Sequence, residues 1–122
     1  MKKFLFVALA MIAAASASAM NPATETFLKE IGLDPQSAEI QAVQADSVTT
    51  KTGVVKTLDS LAAKRDEDGL RRFVATRNFV QQFRQNPRTK FPPAELYDTS
   101  LLTPGEVSYI LAELKKPWRA SA

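Results

Sequence analysis

The sequence holds no cysteine and no histidine among its 122 residues. Without thiolate or imidazole, neither Ser-His-Asp nor Cys-His nucleophilic arrangements can be built from this chain, nor can the usual zinc or haem ligation. Cysteine's absence also removes disulfides and a lipid-modified cysteine, so packing or a partner must hold the fold together. Glycine is scarce: Gly32, Gly53, Gly69 and Gly105 are the four, and they never approach the spacing of a phosphate-cradling loop. No serine stands three residues before a lysine, which removes the Ser-x-x-Lys nucleophile. These gaps exclude a large share of hydrolase and nucleotide chemistry, and no cofactor is expected.

Long apolar runs are also missing, with one exception at residues 4–15. Lys2 and Lys3 precede that run and Ala17, Ser18 and Ala19 follow it. A basic start, a short apolar core and small residues one and three positions before a cut make up a secretory signal. Cleavage is expected after Ala19, because 12 apolar residues fall short of the roughly 20 that span a bilayer. Residues 1–19 therefore read as a signal peptide and residues 20–122 as a single helical domain, periplasmic or secreted, with no transmembrane segment in the mature chain. Loss of Lys2 and Lys3 leaves 14 basic against 13 acidic residues, so the sequence pI of 9.3 overstates the mature protein's charge. A hydrophobic content of 45% is enough for a modest core.

Helix signals recur along the remainder. Asn21 and Pro22 offer a cap and a first-turn proline, and Phe27, Leu28 and Ile31 follow at helical spacing until Gly32. Asp34 and Pro35 repeat the start signal for a second helix reaching about Ala45, and residues 46–53 read as a threonine-rich loop. Val54, Leu58, Leu61 and Ala62 predict a third helix, which Asp66, Glu67, Asp68 and Gly69 interrupt or kink and where the next helix starts. The fourth, from Leu70 to Gln85, is apolar over more than half its circumference, which marks it as central. Asn86 and Pro87 stop it, and Pro92 and Pro93 make an extended connector with a short turn at residues 94–97. Thr103, Pro104 and Glu106 form a capping box for a fifth helix, with Val107, Ile110, Leu111 and Leu114 as its apolar stripe. Trp118 is expected to fold back on the core. The fold class is all-α: a compact, irregular bundle of about five short helices.

Two acidic groupings could carry chemistry. Aligning Gly69 to the sixth position of a calcium loop puts Lys64 first and Ala75 twelfth, where carboxylates are needed, so helix capping is the better account of the cluster. Glu95 and Asp98 could pair for glycoside cleavage, but nothing around them in sequence suggests a deep cleft.

Charge distribution is what departs from a generic helical domain. Between Gly69 and Ala94 stand six basic residues, Arg71, Arg72, Arg77, Arg84, Arg88 and Lys90, and no acid. Phe73, Phe79, Phe83 and Phe91 are interleaved with them, a mixture that can dock onto anionic and partly apolar surfaces, and Phe73 and Phe91 with the basic residues make up the candidate binding site. At 100° per residue Arg77 and Arg84 fall on the apolar arc, where they must either pair internally, with acids such as Glu30, Glu39 or Glu113, or meet an external anion. The leading functional expectation is a non-enzymatic binding or adaptor protein of the cell envelope, docking an acidic partner protein through residues 69–94. Binding of an anionic lipid headgroup or a small amphipathic ligand is the alternative. A small carboxylate-based hydrolase stands third, and nucleic acid is disfavoured by export.

Overall fold

Every α-helix in the computed structural model, which describes residues 20–117, begins at a side chain that caps it. Asn21 accepts from the Ala23 N–H at 2.8 Å before α1, Pro22–Glu30. Ser37 accepts from Ile40 before α2, Ala38–Val43, and Thr57 from Ser60 before α3, Leu58–Ala63. Asp66 accepts from Gly69 at 2.9 Å before α4, Glu67–Gln85. Thr103 and Glu106 close a reciprocal capping box before α5, Pro104–Leu114. These caps satisfy backbone donors that the first helical turn leaves without partners.

Local chemistry moves some boundaries from those the sequence suggests. Asp34 caps a turn instead of a helix, its carboxylate accepting from Gln36 and its carbonyl from Ser37, so α2 waits for Ser37. A small antiparallel hairpin replaces the expected loop, β1 Val48–Thr49 pairing with β2 Val55–Lys56. β-branched Val48, Thr49 and Val55 suit extended backbone, and Gly53, at φ +86°, supplies the left-handed residue the tight connection needs. Val55 is therefore in a strand, and α3 starts only at Leu58. A 3-10 turn, Thr99–Leu101, lies between the proline connector and α5.

The chain is predominantly helical and compact, organised around α4. Leu70, Phe73 and Val74 on its first half join Leu28 of α1, Ile40 and Val43 of α2, Val48 of β1 and Leu58 and Leu61 of α3 in one buried cluster. Phe79, Val80 and Phe83 on its second half pack with Leu102 and Ile110, flanked by Tyr97, Val107 and Tyr109. Between them, buried Thr76 donates to the Leu96 carbonyl and accepts from the Asp98 N–H, both at 3.0 Å, fastening the connector to α4.

One expectation for α5 is corrected. Ile110 is buried, but Leu111 and Leu114 are 51% and 38% exposed, while the helix's two acids, Glu106 and Glu113, are buried. The helix rolls its capping-box glutamate inward to reach Arg77, which swings half of the apolar stripe to the surface. The signal peptide expected at residues 1–19 and the expected placement of Trp118 lie outside the described residues. Among those described, no helix is long and apolar enough to cross a membrane.

Candidate functional site

Arg77 occupies the seam between the two core clusters and is 6% exposed. Its Nε donates to Asp46 at 2.8 Å, Nη1 to the Leu101 carbonyl at 2.9 Å and to Glu106 at 2.7 Å, and Nη2 to the other Glu106 oxygen at 2.9 Å. Such a forked pair answers the desolvation of both charges. Burial pushes the Arg77 pKa down, but the hydrogen bonds and charges of Glu106 and Asp46 outweigh it and raise it further above its ordinary value. Burial likewise pushes Glu106 up, yet the bonds from Arg77 and Thr103 and the guanidinium charge hold it below the ordinary glutamate range. Of the acids named from sequence as partners, Glu30 pairs with Arg65 and Glu113 with Lys116, while Glu39 lines a hollow beside α4 and does not meet Arg77. No local signal marks Asp46, and the capping box already accounts for Glu106, so the sequence conceals both roles.

Arg77 thus holds elements together and presents no face to an outside anion, and Phe73 is wholly buried. Arg71 bonds Glu67 at 2.9 Å and the Ile31 carbonyl at 2.7 Å, joining α4 to the end of α1. Arg72 is exposed and reaches the Glu95 carbonyl at 3.4 Å. These four lie on the first turns and at the middle of α4, apart from the others at its far end.

Arg84, Arg88, Lys90 and Phe91 stand together at the far end of α4 and on the connector, and all four are exposed. Phe91 packs against Phe79 at a ring separation of 4.5 Å, Tyr97 at 5.4 Å and Phe83 at 6.0 Å, yet remains 37% exposed. Tyr109 of α5 meets the edge of Phe83 at 6.0 Å, and the Arg84 guanidinium lies 5.2 Å from the Tyr109 ring. An unbroken line of rings therefore joins Arg84 to Phe91. The tilted and edge-on rings fix the Phe91 position, and the cation over Tyr109 fixes that of Arg84. Phe79, Phe83, Tyr97 and Tyr109 were not among the site residues read from sequence. Their role as a rigid bed for Phe91 is tertiary.

A concavity of about 430 Å³, open to solvent, lies beside this cluster, lined by Arg72, Ala94, Glu95, Tyr97, Asp98 and Thr99. Burial raises the Tyr97 hydroxyl's pKa. Asp98 is engaged as a cap, accepting from the Ser100 N–H at 3.0 Å and its hydroxyl at 2.6 Å. A smaller hollow between α2, α4 and the connector is lined by Glu39, Asn78, Phe79, Gln82, Lys90 and Pro92, among others. Among the described residues, no three acidic side chains gather as a metal site would require. No protein-family model, no curated protein and no solved structure matches this chain.

Proposed function

We propose that this chain is a small, exported, non-enzymatic docking protein of the cell envelope that engages an acidic surface of a partner protein. Its contact is the basic and aromatic end of α4 with the connector behind it: Arg84, Arg88, Lys90 and Phe91. The observation that supports this reading is Phe91, a phenylalanine held by three rings but left 37% exposed, with exposed Arg88 and Lys90 just before it in the chain and exposed Arg84 at the end of α4. A preordered aromatic anchor inside a charged rim suits an interface, because little side-chain freedom is lost on binding and the rim steers an oppositely charged partner. Export rests on the composition of residues 1–19. Arg77, buried against Asp46, the Leu101 carbonyl and Glu106, takes no part in the contact.

The test uses wild-type protein, R84Q/K90Q and F91A as baits in an envelope extract at low and high salt. An acidic protein captured by the wild type, released by salt and lost with both variants is the expected result. Equal capture by all three baits would place the contact elsewhere.

A further inference from the structure

We infer that the outward flank of α5, Leu111 and Leu114 bordered by Lys115, rests on an anionic lipid bilayer surface. This site is separate from the α4 docking surface and does not depend on it. The helix carries its charge in an inverted arrangement. Glu106 and Glu113, its two charged residues, are both buried at 7%, one on Arg77 and the other on Lys116 at 2.7 Å. The exposed positions Pro104, Gly105, Ser108, Leu111, Ala112 and Leu114 are uncharged, and Lys115 and Lys116 follow them. Val107, Leu111 and Leu114 are spaced four and three residues apart, which puts them on one flank of the helix, with Lys115 four residues beyond Leu111 beside it.

That combination matches the requirements of a membrane surface and not those of a second copy of the chain. Apolar side chains sink to the level of the acyl boundary while neighbouring lysines meet lipid phosphates, and no outward acid opposes the negative surface potential. Trp118 and Arg119 continue the same composition in the sequence. A stable dimer buries about 800 Å² on each partner, more than two leucines on an 11-residue helix can supply. Insertion into lipid has no such area threshold.

The experiment is co-sedimentation of the full chain with vesicles of phosphatidylcholine alone or mixed with phosphatidylglycerol, comparing wild type with L111Q/L114Q. Both leucines are already exposed, so the variant should keep its helical dichroism. The wild type is expected to bind the anionic vesicles in a salt-sensitive way, and L111Q/L114Q to bind at least roughly tenfold more weakly. Residues 1–19 are common to both proteins, so equal binding would assign lipid contact to another segment and overturn the inference. Binding lost in R84Q/K90Q but kept in L111Q/L114Q would move the contact to α4 and overturn it too. So would reversible self-association, seen by sedimentation equilibrium and abolished by L111Q/L114Q, with no vesicle binding.

Discussion

Arg77 ties together three acceptors: the part-buried Asp46 carboxylate, the Leu101 carbonyl and the buried Glu106 carboxylate. Replacing it with methionine keeps the bulk of its stem but leaves both carboxylates without their cation. Loss of one partner of a buried pair costs about 3–5 kcal/mol, and R77M should unfold correspondingly earlier in urea. Adding E106Q should recover part of the loss, since the amide can still answer the Thr103 N–H while removing the stranded charge. A double variant no more stable than R77M would show that the cost lies in lost packing. Helical periodicity puts both Arg77 and Arg84 on the apolar arc but cannot tell their fates apart. Arg77 is answered from 31 residues upstream and 29 downstream, whereas Arg84, in the last turn of α4, meets only the Tyr109 ring among its described contacts. R84Q should therefore leave the urea midpoint almost unchanged, and a large loss would mean that the cation holds α5 in place.

Among the elements, those with caps in their sequence are the ones the sequence makes legible. Asn21 and Thr103 open helices where their side-chain chemistry requires, and Leu70, Phe73, Val74, Phe79, Val80 and Phe83 are all buried, as the wide arc of α4 demands. The hairpin was hidden because two-residue strands carry no measurable alternation, and its pairing is a tertiary fact. The outward leucines of α5 were hidden for another reason: the stripe fixes which residues are neighbours, and the Arg77 pair then chooses which of them turn inward. Two substitutions test the caps. T103A removes one half of the α5 capping box and should cost about 0.5–2 kcal/mol in urea denaturation. G69A would ordinarily favour a helix by about 0.5–1 kcal/mol. Here the new methyl group collides with the Asp66 carboxylate that caps α4, so the variant should be no more stable than wild type. A clear gain would mean that the Asp66 cap contributes little.

At the scale of the whole molecule, the Arg77 cluster couples its stability to pH. Glu106 has an ordinary pKa of 4.5 and a lower one when folded, so between those values the unfolded chain binds more protons than the folded one. Stability from this group is therefore fully present above the ordinary value and is lost as pH falls through the folded one. Arg77, raised further, stays charged throughout that range and adds no slope of its own. Because Asp46 and the Leu101–Glu106 stretch come from opposite sides of α4 in the sequence, protonating one carboxylate loosens the seam between the two halves of the core and not just one helix end. Urea midpoints measured from about pH 6 down to pH 3 should fall more steeply in wild type than in E106Q below roughly pH 4.5, the two curves running parallel above it. Comparing the two curves removes what the proteins share and leaves the contribution of the Glu106 carboxyl in its pair with Arg77. Parallel curves across the whole range would mean that Arg77 does not hold this carboxyl in its charged form, and the seam would then rest on apolar packing alone.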